Sequence, residues 1–71
     1  MFDSNKFKER IMEMGFTVGK VASFIGINEA TLYRKISGSS EFSRAEIQLI
    51  RNVLKLTVAE AEEIFFAEKL A

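Results

Sequence analysis

The chain has 71 residues, of which 48% are hydrophobic, and its ten basic side chains balance ten acidic ones. This length and composition predict one small folded domain, residues 1–71, instead of a disordered chain. Because the sequence has no cysteine and no histidine, it offers no disulfide, no thiolate metal site and no imidazole base, and we expect neither an enzyme nor a metal or cofactor site.

The spacing of apolar residues predicts an all-α protein with five helices and no β-strand. The first helix covers about residues 4–14, follows a cap at Asp3 or Ser4, and ends before a glycine. Phe7, Ile11 and Met14 recur at intervals of four and three residues, so they are expected to form its buried face.

The second helix is expected over about residues 17–25, with Thr17 as its cap. Its buried stripe is predicted to contain Val18, Val21, Ala22 and Ile25. Gly19 lies inside this helix, where glycine costs about 1 kcal/mol relative to alanine. Two explanations stay open for Gly19: another backbone, such as that of DNA, approaches closely, or the glycine is merely tolerated near the helix start.

The third helix is predicted to start at an Asn28 cap and to end near Ser37, with Leu32 and Ile36 facing the core. Gly26 can take the positive φ that ends one helix and turns the chain into the next. Two short helices joined by such a turn predict a helix-turn-helix, whose second helix enters the major groove of DNA.

Two further helices are predicted from capping boxes, in which a hydroxyl residue precedes a glutamate by three positions. Ser43 with Glu46 starts the fourth helix, and Thr57 with Glu60 starts the fifth. The expected core face of the fourth helix consists of Ile47, Ile50 and Leu54, with Phe42 packing on Ile47 from before the cap.

The fifth helix carries more apolar surface than a small core needs. Its stripe is predicted to contain Val58, Ala61, Ile64 and Phe65, widened by Phe66 and Leu70. Adjacent side chains on a helix point about 100° apart, so one phenylalanine of the pair is expected to be buried and the other exposed. We expect Phe65, Phe66 and Leu70 to form an interface with a second copy or a partner; alternatively, both phenylalanines pack on the first helix.

The charges are unevenly distributed along the chain. Residues 1–55 hold nine basic and six acidic residues, whereas residues 56–71 hold one and four. A basic surface is therefore compatible with the zero net charge, although small DNA-binding domains are usually basic overall. The polar start of the chain and the absence of a long apolar run favour a cytoplasmic protein.

The stretch VASFIGINEATLYRKISG, followed by FSRAEIQLI, resembles the Cro/phage-repressor type of helix-turn-helix domain. The resemblance extends from Phe7 to about Phe66 and implies a five-helix domain in which helices two and three read DNA. In its small size the chain is similar to Cro-like regulators beside the lysogeny switch of temperate phages. Some of these are modulators of repression that bind a partner repressor.

The resemblance also implies roles for individual residues. Base edges would be contacted by Asn28, Glu29, Ala30, Thr31 and Arg34, and phosphates by Lys20 and Arg44. Tyr33 and Lys35 belong to the same helix; Tyr33 could touch a phosphate, the core edge or a protein, and Lys35 could bind or be solvated. The chain departs from the family pattern at Val18 and Gly19, where glutamine is common, and at Glu29, where a carboxylate would repel phosphates.

These observations predict a small phage-type transcriptional regulator that binds double-stranded operator DNA through its third helix, as a homodimer on paired half-sites. The alternative is a protein-binding modulator that docks on a partner phage repressor and alters or masks its DNA binding. The zero net charge, the surplus phenylalanine and Glu29 favour the alternative.

Overall fold

A computed structural model describes residues 1–67 of the chain. Within this range it contains five α-helices and no strand: α1 (Ser4–Glu13), α2 (Val18–Ile25), α3 (Glu29–Ile36), α4 (Arg44–Val53) and α5 (Val58–Phe65). The predicted all-α class and the five predicted helices are confirmed. None of the helices in residues 1–67 has the length and apolar character needed to cross a membrane.

A side-chain cap starts each of the five helices. The caps are Asp3, Thr17, Asn28, Ser43 and Thr57, each accepting a backbone N–H bond from the first turn. Both predicted capping boxes are present, since Glu46 accepts from the Ser43 amide at 2.8 Å and Glu60 accepts from the Thr57 amide at 2.9 Å. Caps of this kind stabilise a helix by about 1 kcal/mol each. The residue directly before each helix therefore helps to determine where that helix starts.

The chain leaves its first four helices through residues with positive φ: Gly15, Gly26, Gly38 and Lys55. After α2, the Gly26 amide donates to the Ser23 carbonyl at 3.2 Å and the Ile27 amide donates to the Ala22 carbonyl at 3.0 Å. This pair of bonds is a Schellman motif, which satisfies the last carbonyls of a helix. The motif reverses the chain sharply after α2.

The core is built around α2, which packs against α1, α3 and α4. It buries Val21, Ala22 and Ile25, as predicted, and leaves Val18 half-buried at its edge. The small Ala22 side chain is almost completely buried, which permits close packing of the helices around it. Val58 was predicted to be buried but is 61% exposed, because the first turn of α5 extends past the core and borders a groove beside α4.

Four phenylalanines form one cluster: Phe2, Phe7, Phe42 and Phe65, with ring centroids 5.0–6.2 Å apart. Phe65 is buried in this cluster, while its neighbour Phe66 is 60% exposed. The prediction that only one of the two is buried is confirmed. Phe65 therefore packs within the chain, and among the described residues of the predicted interface Phe66 is the exposed one; Leu70 lies outside the described residues.

Arg10 ties α1 to the end of α4, a role that its place on a polar helix face did not reveal. Its guanidinium donates to the Leu54 and Lys55 carbonyls, each at 2.9 Å, and lies 3.5 Å from a Glu60 carboxylate oxygen. A side-chain cation thus satisfies the orphan carbonyls that end α4.

Lys55 provides a direct test of the turn that follows α4. Its φ of 53° lies in the left-handed region, which costs a residue with a Cβ about 1–2 kcal/mol. We expect Lys55→Gly to raise the free energy of unfolding by about 0.5–1 kcal/mol, measured by urea denaturation. Asn52→Gly, placed inside α4, should lower it. A loss of stability in Lys55→Gly would contradict this account of the turn.

Candidate nucleic-acid interface

The loop between α2 and α3 consists of Gly26, Ile27 and Asn28. The Gly26 turn ends α2, Ile27 is half-buried against the core, and the Asn28 side chain accepts from the Ala30 amide at 2.8 Å to start α3. Three consecutive residues thus end one helix, anchor the turn and start the next helix. The first turn of α3 is thereby held at the surface of the protein.

Two apolar side chains determine which side of α3 faces outward. Leu32 and Ile36, four residues apart, are buried in the core as predicted. Positions on the other side of the helix are left in solvent, among them Ala30 and Arg34, while Tyr33 is 49% exposed. The predicted binding residues at the start and middle of α3 therefore lie on an accessible surface.

Arg34 is the exposed cation of this surface. Its Nη2 donates to the Thr31 hydroxyl at 3.3 Å, one turn earlier on the same helix. This single bond leaves other N–H groups of the guanidinium available, because arginine carries five donors in a planar fork. Such a fork can donate two parallel bonds to guanine or to a phosphate.

Lys35 occupies a different environment from the one predicted for a recognition residue. Its side chain is only 12% exposed, its Nζ lies 3.1 Å from a Glu46 carboxylate oxygen, and it donates to the Glu41 carbonyl at 2.9 Å. The ammonium is thus used within the protein, where it fastens the end of α3 to the start of α4. We therefore remove Lys35 from the candidate binding surface.

Glu46 has a second role beyond its predicted capping box. Burial disfavours the charged carboxylate, but the Ser43 amide and the Lys35 ammonium outweigh this effect and lower the pKa of Glu46 below its ordinary value. The capping pattern of Glu46 is visible in the sequence. Its pairing with Lys35 is not visible, because it depends on how α3 and α4 pack.

The first turn of α2 lies beside the first turn of α3. At position 19 a Cβ carbon would be only 2.7 Å from Oε1 of Glu29 and 3.2 Å from its Cδ. The side chain of Glu29 therefore occupies the space above Gly19. From the sequence, Gly19 was explained by a closely approaching backbone or by tolerance near the helix start. The neighbour in the structure is instead a side chain ten residues away.

Lys20 follows Gly19 in the first turn of α2 and is exposed. Its Nζ lies 5.3 Å from the centre of the Phe24 ring, within the range of a cation–π contact. Phe24 in turn packs edge-on against Phe16, with ring centroids 5.4 Å apart. With Lys35 paired to Glu46, the exposed charges of α2 and α3 are Lys20, Glu29 and Arg34, a net charge of +1.

Arg44 lies on a separate feature, a groove of about 520 Å³ between α4 and α5. The groove is lined by Phe42, Arg44, Ile47, Gln48, Arg51, Val58, Ala61, Glu62 and Phe66. The Nε of Arg51 is buried there without a hydrogen-bond partner among residues 1–67. The structure thus places Arg44 and the exposed Phe66 on a common surface. From the sequence, Arg44 was predicted to contact DNA and Phe66 to belong to a protein interface.

Comparisons with protein-family models, with curated proteins and with solved structures found no match to this chain. Among the described residues, no group of three or more carboxylates is placed to hold a metal ion.

The Lys35–Glu46 pair predicts how stability changes with pH. A carboxylate whose pKa is lower in the folded state stabilises the protein above its unfolded-state pKa, about 4.3, and loses this effect as the pH falls through the folded value. Glu60 acts in the same direction, since the Thr57 amide lowers its pKa. We expect the free energy of unfolding to decrease between pH 6 and pH 3, measured by urea denaturation at each pH.

Glu46→Gln separates the charge from the cap, because glutamine also completes a capping box. We expect this variant to be less stable than the wild type at pH 6 and to lose less stability on acidification. Glu62→Gln, at an exposed position of α5, should leave the pH dependence nearly unchanged. Identical pH dependence in Glu46→Gln and the wild type would refute the role assigned to the pair.

Proposed function

We propose that this chain is a small phage-type transcriptional regulator that binds operator DNA, with α2 and α3 acting as a helix-turn-helix. The observation that carries the proposal is the arrangement of α3. Its inner side is anchored by Leu32 and Ile36, and its outer side presents an available arginine at position 34. The resemblance to Cro-type domains over the same residues supports this assignment.

In the proposed complex α3 enters the major groove, which is wide enough to admit a helix. Arg34 would donate two bonds to a guanine, and the methyl group of Ala30 could contact a thymine. The Asn28 side-chain oxygen already accepts the capping bond from Ala30, whereas its side-chain N–H groups make no bond in the cap and are donors for a contact with DNA. The predicted base contacts therefore depend most on Arg34.

Lys20 would contribute by pairing with a phosphate beside the groove. Phosphate contacts release counterions, so binding should weaken as salt increases. The few exposed cations on α2 and α3 predict a shallow salt dependence for one copy of the chain. Two copies on paired half-sites would double the number of phosphate contacts, which is why we propose that the regulator acts as a dimer.

Arg34 supplies the test of the proposed DNA contact. Duplexes selected from a random pool by the wild-type chain serve as the probe, and their affinity is measured by fluorescence anisotropy. We expect Arg34→Ala to lower affinity by about 1–3 kcal/mol, since it removes a bidentate base contact. Lys8→Ala removes one positive charge from the exposed side of α1 and should change affinity little. Equal losses of DNA affinity in the two variants would show that Arg34 contributes no more than any exposed positive charge, which would contradict the proposed contact through α3.

A second candidate function is supported by the aromatic side chains of α2 and α3. Phe24 is 47% exposed and Tyr33 is similarly accessible, and aromatic residues are enriched in protein interfaces. Glu29 and the internal use of Lys35 also reduce the positive charge available for DNA. These features suit a modulator that docks on a partner phage repressor.

The two functions predict different electrophoretic mobility shifts. A DNA-binding regulator retards an operator fragment without any other protein. A modulator alone leaves the fragment unshifted but changes the shift produced by a partner phage repressor, and Tyr33→Ser should weaken that effect. Retardation of the fragment by the chain alone, together with no effect on the repressor's shift, would exclude the modulator.

A further inference from the structure

The contact between Gly19 and Glu29 has a consequence for how α3 meets a ligand. Gly19 has an ordinary helical φ, so its backbone would accept another residue. The restriction comes instead from the Glu29 carboxylate, whose Oε1 and Oε2 would lie 2.7 and 3.7 Å from a Cβ at position 19. Real Cβ atoms do not approach an oxygen as closely as 2.7 Å, so any larger residue would displace the carboxylate.

We infer that Gly19 is a specificity-determining residue of the proposed DNA interface, because its missing Cβ lets the Glu29 carboxylate fold onto α2 instead of extending from α3. This inference rests on the proposed DNA-binding function. Gly19 would act through Glu29 as a positioning residue, since the carboxylate would reach the ligand only when a side chain at position 19 displaces it.

The two positions of the carboxylate have different chemical effects. Extended from α3, it would accept a bond from the amino group of cytosine and would repel nearby phosphates. Folded over the first turn of α2, it lies near the positive end of a helix dipole, which favours a negative charge. The folded position therefore turns the carboxylate from α3 toward α2, although Glu29 stays exposed to solvent.

The placement of Glu29 can be tested without DNA. In an NMR spectrum of the whole chain, we expect nuclear Overhauser contacts between the Gly19 Hα protons and the Glu29 side-chain protons. In Gly19→Ala, the Glu29 side-chain signals should shift and contacts to residue 19 should weaken. Ser23→Ala, one turn along the same helix, should leave the Glu29 signals in place. Absence of the Gly19–Glu29 contacts in the wild type would overturn the inference.

The effect on specificity is tested by selection from a random duplex pool with four proteins: wild type, Gly19→Ala, Glu29→Ala and the double variant. We expect Gly19→Ala to lower affinity for the wild-type site by about fivefold and to gain a preference for cytosine at one position. The double variant should show neither change, because the displaced carboxylate is gone.

The remaining outcomes separate this inference from the proposed function. If Gly19→Ala and the double variant change affinity and base preference equally, Gly19 does not act through Glu29 and the inference fails while DNA binding stands. If the wild-type chain selects no duplex from the pool, the proposed function fails and the inference falls with it. A Gly19→Ala protein with wild-type affinity and base preference also overturns the inference.

Discussion

The burial of α2 is the constraint on which the rest of the structure depends. This eight-residue helix buries three side chains and packs against α1, α3 and α4. The small Ala22 lets the neighbouring helices approach, and the Gly26 turn then directs the chain into α3 at a fixed angle. Since α3 buries Leu32 and Ile36 in the same core, its outward side is determined by packing and not by its own polar residues.

That packing also selects which charged residues of α3 can meet a ligand. Lys35 is drawn back onto Glu46 and serves to join α3 to α4, while Arg34 stays in solvent with one local bond. Glu29 folds toward Gly19. The surface proposed to read DNA is therefore less charged than the sequence of α3 suggests, and its chemistry depends on an arginine with a few small or polar neighbours.

Much of the fold is predictable because its determinants are local. Caps such as Ser43 with Glu46, glycines such as Gly26, and the buried pair Leu32 and Ile36 specify helices by spacing alone. The errors concern features that arise only when helices meet: the exposure of Val58 and the pairing of Lys35. The left-handed conformation of Lys55 was also not predicted, because this conformation is usually adopted by glycine.

We propose that the outer side of α3 is the surface that binds DNA. The most direct measurement is a titration of the isotope-labelled chain with a selected duplex at low salt, following backbone amide signals by NMR. We expect the largest shifts on residues 19–20 and 28–34 and small shifts along the groove between α4 and α5. Shifts concentrated at Ile47, Val58 and Phe66, with α3 unperturbed, would contradict it.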